Sequence, residues 1–98
     1  MYSEPWSDIE DYNSEHEAAL LTEMITELPV GHNLYGKSFK ILAKREDSDD
    51  VLVVFDSKFY IVHLTWSRKK EILPYPETKS YGSLEVLQEQ LAKDSLYF

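Results

Sequence analysis

His16, His32 and His63 are the side chains in this sequence best suited to chemistry near neutral pH, and 18 carboxylates surround them. Imidazole changes charge in that range and serves as base, acid or metal ligand. Spacing decides among these uses. No HxH, HxxxH or HExxH pattern is present and Cys is absent, so no compact metal-ligand set is encoded and thiolate chemistry is excluded. Asp47, Asp49 and Asp50 imitate the start of a calcium loop but lack its glycine at the sixth position and its glutamate at the twelfth, so they read as a solvated turn. Asp50, directly before an apolar run, is the exception, placed to orient a loop or to accept from backbone amides. There is no GxSxG elbow, P-loop or GxGxxG turn; Gly31, Gly36 and Gly82 cannot make a phosphate cradle. The expectation is a chain without a recognisable catalytic set, without a metal and without a cofactor.

The elements around these residues follow from periodicity. Ser14-Glu15-His16-Glu17 fits a capping box, and Ala18, Leu21, Ile25 and Leu28 recur behind it at helical spacing with Met24 beside them. Pro29 ends this helix, predicted over 14–28, and its outer face is expected to carry Glu15, Glu23 and Glu27. Val30–Gly36 reads as a loop holding His32. Lys37–Arg45 alternates, with Phe39, Ile41 and Ala43 on one face, as a half-buried strand does. Val51–Phe55 is continuously apolar, like a central strand covered on both faces. Asp56-Ser57-Lys58 is a tight connection to a third strand, Phe59–Trp66, in which Phe59, Ile61, His63 and Thr65 share one face. Ser67–Lys70 is a basic turn. The stretch 71–82 is extended around Pro74 and Pro76, with room for a short edge strand at Glu71–Leu73. Ser83 caps a second helix with Leu84, Leu87 and Leu91 on one stripe. The order is α-β-β-β-α. The expected fold is α+β, a small antiparallel meander of three or four strands packed with an N-terminal and a C-terminal helix. Residues 13–98 form the single domain, and residues 1–12 an acidic, flexible arm with Trp6 and Ile9 as anchors.

From Glu27 onward the chain resembles a family of small bacterial proteins. The residues that carry the resemblance are Glu27-Leu28-Pro29 with Gly31-His32 and Gly36, Asp49-Asp50-Val51-Leu52, Val62-His63-Leu64-Thr65-Trp66-Ser67, and Glu71 with Pro74, Pro76 and Thr78. The pattern reads ELPxGHxLxG, DDVL and VHLTW, the last being the most specific. The resemblance implies a bacterial or phage-related, cytoplasmic protein and brings no activity with it. It sharpens one expectation: His32, Asp50, His63, Trp66 and Glu71 sit at loop and strand ends and are placed to converge.

Charge supplies the other clue. All of the net charge of −8 lies between Met1 and Leu28, where eight acids meet no Lys or Arg. Such a field repels nucleic acid and anionic membrane and attracts a basic partner. An aromatic share of 13% excludes a disordered chain, and no apolar run approaches the length of a membrane span. The absence of Cys and of a secretory signal pattern fits a cytoplasmic setting. Two functions compete. One is a non-catalytic, immunity- or inhibitor-like module that presents Glu15, Glu23 and Glu27 to a basic protein. The other is a small-molecule site, or an enzyme, around His63 and His32. A structural subunit that dimerises through a sheet edge or an exposed helix stripe is a third.

Overall fold

Five strands build one antiparallel sheet, and their spatial order is their chain order. They are β1 (Trp6–Asp8), β2 (Lys40–Arg45), β3 (Asp50–Phe55), β4 (Lys58–His63) and β5 (Thr78–Tyr81), with helix α1 (Ser14–Glu27) before β2 and α2 (Leu84–Leu96) after β5. The computed structural model describes residues 2–96. Met1, Tyr97 and Phe98, the outer ends of the expected arm and domain, lie outside the described residues. No helix among the described residues is long and apolar enough to cross a membrane.

The β3–β4 hairpin is the centre of the sheet. Asp56 and Ser57 have φ of 52° and 62°, the left-handed pair that a two-residue hairpin turn requires. That turn fixes the register from Phe55–Lys58 through to Asp50–His63. β3 is buried from both sides: Val51 and Val53 join one core with Leu20 and Met24 of α1, while Leu52 joins another with Leu87 of α2. Because alternate residues of a strand face opposite ways, the two helices lie on opposite faces of the sheet.

The strand count is five, not three or four. One added strand is Trp6–Asp8, which pairs with Arg45, Lys44 and Ala43 inside the expected 1–12 arm. Trp6 and Ile9 are its buried anchors. The edge strand expected at Glu71–Leu73 forms instead at Thr78–Tyr81, against β4. In β2 the expected single face of Phe39, Ile41 and Ala43 is divided. Ile41 pairs with Val53 but Ala43 with Leu52, so Leu42 is an extra, bulged residue. Ile41 consequently packs on the α1 side and Ala43 on the α2 side.

Helix α1 starts at Ser14, but its cap is Asn13, whose side chain accepts from the His16 amide at 2.8 Å. Asn serves at this position as well as Ser does. Its buried face is Leu20, Glu23, Met24 and Glu27, turned by about one residue, roughly 100°, from the expected stripe; Ile25 is 57% exposed. The second helix is capped as expected, with the Val86 amide donating to Ser83 Oγ, although Leu84 stays exposed and Leu87 alone is fully covered.

Trp6 is the residue that ties β1 to the far end of the chain: it is 2% exposed and its Nε1 donates to Asp94 in α2 at 2.9 Å. Trp6→Ala is expected to lower unfolding free energy by about 3 kcal/mol in urea titration; a loss near zero would mean that β1 adds nothing to the fold.

Candidate functional site

The loop after β4 leaves the sheet because its amides find acceptors elsewhere. Glu27 is fully buried, and its two carboxyl oxygens accept from the amides of Thr65 and Trp66, each at 2.9 Å. Glu23, 6% exposed, accepts from the Arg68 amide at 3.0 Å. These contacts hold Trp66 and Arg68 at φ of 55° and 60°, a left-handed conformation that costs about 1–3 kcal/mol per non-glycine residue. The expected β4 reached Trp66; capture of these amides ends it at His63. Beyond the loop, the Glu71 amide donates to the Glu27 carbonyl and Lys70 Nζ to the Leu28 carbonyl at the end of α1.

Glu23 and Glu27 therefore do not lie on an outer, partner-facing surface. Of the three acids expected there, Glu15 alone is exposed. The reason is that the amides of residues 65–68 lie outside any ladder, and a buried N–H needs an acceptor. Burial, and then the neighbouring Glu23 carboxyl, push Glu27 above the usual carboxylate range, with the Thr65 and Trp66 amides pulling the other way.

His32 clamps a second loop. Its Nδ1 accepts from the Leu34 amide at 3.1 Å, so the ring proton is on Nε2, which donates to the Pro76 carbonyl at 3.0 Å and approaches Thr78 Oγ1 at 3.1 Å. This imidazole joins the loop after α1 to the segment entering β5. Gly31, at φ 95°, lies in the same loop, and a Cβ there would come within 3.2 Å of Leu73.

These straps form one wall of an open cleft of about 730 Å³. Gly31, His32, Asn33, Leu73 and Pro74 line that wall; the sheet contributes Arg45, Asp50, Ile61, His63, Lys79 and Tyr81; α2 contributes Gln90 and Asp94. A transverse polar row crosses the sheet here. Trp6 pairs with Arg45, Asp50 pairs with His63, and the His63 amide donates to the Glu77 carbonyl. At one end of the row the groups satisfy each other. Asp94 accepts from Trp6 and Gln90 and pairs with Arg45 at 3.3 Å, while Arg45 also holds Asp47. That hydrogen bond from Arg45 keeps Asp47 below its usual range.

The other end is unsatisfied. His63 Nδ1 donates to Asp50 Oδ1 at 2.7 Å, since the carboxylate can only accept. Its Nε2 has no hydrogen-bond partner among the described residues, and the side chain is 53% exposed. Burial, with the charges of Asp94 and Asp50, raises the Tyr81 phenol and keeps it a donor. No group of three or more His, Asp or Glu among the described residues is placed to hold a metal ion.

Of the five residues expected to converge, the cleft gathers His32, Asp50 and His63. Trp66 and Glu71 are not among its lining residues; both belong to the loop held by Glu27. Arg45, Lys79, Tyr81, Gln90 and Asp94 were not expected there. The signal for Arg45 is faint, because the bulge at Leu42 turns it toward the α2 side. No protein-family model matches the chain, nor does any curated protein or solved structure. The roles of the ELPxGHxLxG, DDVL and VHLTW segments rest on their own contacts.

Replacing Glu27 with Gln leaves one oxygen for two amides, so Glu27→Gln is expected to cost about 1–3 kcal/mol. Because the folded pKa of Glu27 is raised, between the ordinary and the raised value the folded chain holds a proton that the unfolded chain releases. The resulting stability is complete below the ordinary carboxylate pKa and is lost as pH rises through the raised value. Urea titrations across that window should show this decline in the wild type and a flatter profile in Glu27→Gln; parallel profiles would remove Glu27 as its source.

Proposed function

We propose that this domain binds a small polar ligand in the cleft between the sheet and the C-terminal half of α2. His63 Nε2 accepts a hydrogen bond or a proton from that ligand. The observation that carries the reading is a half-exposed imidazole whose tautomer Asp50 fixes, standing in a concave site of about 730 Å³ that also takes in His32. That volume falls within the range of small-molecule sites, and the mixture of Asp50, Lys79 and Tyr81 around an Ile61 and Leu73 wall suits a ligand with both donors and acceptors. An Asp–His pair of this kind is also a competent general base, with His63 taking the proton and Asp50 stabilising the imidazolium. His32, with both ring nitrogens engaged, shapes the wall.

Titration of the labelled domain with amino acids, nucleotides, sugars and small organic acids, read by NMR, tests this. A ligand that shifts His63 and Tyr81 and binds about tenfold more weakly to His63→Gln is expected. The variant's stability should stay within about 0.5 kcal/mol, because the side chain is half in solvent. Ligands that shift only residues outside the cleft, or a His63→Gln variant that unfolds, would defeat the reading.

A second reading has its own observation. Glu4, Glu10, Asp11 and Glu15 are exposed near β1 and the start of α1, and none forms an ion pair with Lys or Arg among the described residues. That surface supports an acidic, non-catalytic interaction module, immunity- or inhibitor-like, that meets a basic protein in the cytoplasm. Under this reading a basic protein is captured at low salt, lost at about 0.5 M salt, and lost again when Glu10, Asp11 and Glu15 are reversed to Lys. Capture indifferent to the reversal would end it.

A further inference from the structure

A second surface lies at the other end of α1. Ile25, Val30, Tyr35, Ile72, Leu73 and Tyr75 are all exposed, from 43% for Tyr35 to 82% for Ile72. They are far apart in sequence, but the 70–75 segment that carries Ile72, Leu73 and Tyr75 runs beside the loop after α1, with Leu73 also lining the cleft. Ile25 and Tyr35 line a shallow groove with Leu34 and Phe39, of about 340 Å³. Lys70 Nζ sits 5.1 Å above the Tyr35 ring, which brings the 70–75 segment alongside. Leu73 lies against Gly31, next to Val30. Single exposed apolar residues are ordinary, but a gathered patch on a small domain marks an interaction site.

The rim of this patch is cationic. Lys37 lines the groove and Lys70 stands over Tyr35, with Arg68 and Lys69 next to Lys70 in the chain and Glu71 between Lys70 and Ile72. None of the four pairs with a carboxylate among the described residues. In a chain of net charge −8 this is a local reversal of sign. We infer that the patch docks a short acidic segment of a partner protein, with aliphatic or aromatic anchors in the groove and carboxylates on the rim.

Charge argues against the other occupants. A second copy placed patch to patch would bring its rim cations against these. A second copy offering its acidic end would bring no anchor, because no large apolar side chain before Ile25 is exposed among the described residues. A nucleic acid or an anionic membrane extends well past the rim and meets the repulsion of the whole molecule. A short segment feels only charges within a Debye length of about 8 Å at physiological salt.

The test uses the full chain and synthetic peptides of one length in two sets, Leu and Phe anchors among Asp and Glu or the same anchors among Lys and Arg. Acidic peptides are expected to bind at about 10–100 µM and to shift NMR signals of Tyr35 and Ile72. Ile72→Ser, and separately Lys37→Glu with Lys69→Glu, should each weaken them about tenfold. These side chains are exposed, and a urea midpoint equal to wild type shows that the fold is intact. Equal or better binding of the basic set, or no binding of either, overturns the inference. So does self-association in sedimentation that Ile72→Ser abolishes, binding to phosphatidylserine vesicles, or binding to a single-stranded oligonucleotide in place of the acidic peptides.

Discussion

A buried carboxyl group organises half of this molecule. Glu27 stands at the end of α1, forms no ion pair among the described residues, and spends both oxygens on backbone amides of the loop after β4. Burying a carboxyl there without those amides would leave its desolvation cost uncompensated. Leaving the amides without the carboxyl would strand two donors. Each side makes the other tolerable, and the left-handed Trp66 and Arg68 are held between them. The helix end, the loop and the start of the 71–77 segment therefore behave as one unit.

The cleft inherits this arrangement. Its floor belongs to the sheet and is fixed by the hairpin register that sets Asp50 opposite His63. Its wall belongs to the straps, fixed by Glu27 at one point and by His32 at another. Its roof is α2, tied down through Asp94 to Trp6 and Arg45. Among these anchored parts His63 is a half-exposed imidazole whose second nitrogen has no partner among the described residues. His32 shows the contrast: the same side chain, bonded at both nitrogens, is committed to structure.

Some of this was legible in the residues and some was not. The hairpin was legible as a short link between two strands, but the expected Asp56-Ser57-Lys58 connection is one residue too long: Lys58 pairs with Phe55, and only a two-residue turn sets Asp50 opposite His63. The second helix was, because Ser83 and the leucines behind it agree with each other. The burial of Glu23 and Glu27 was hidden by a real ambiguity. Their spacing in α1 suits a solvent face as well as it suits a face turned to an amide-rich loop, and residues 64–66 continue the alternation well enough to pass for strand. β1 was hidden because acids and Pro5 surround it, so that Trp6 and Ile9 read as anchors of an arm and not as parts of a ladder. The cleft's Arg45 could not be placed without knowing that Leu42 bulges.

That bulge has a consequence of its own. Residues before Leu42 count odd positions toward α1, and residues after it count odd positions toward α2, so the strand changes parity at one point. Arg45 reaches Asp94, and Trp6 finds its place opposite Arg45, only because one residue too many is present. What this segment must conserve is its length. A change of side chain at Leu42 is a local matter, whereas the removal of a single residue would exchange inside for outside along the rest of β2.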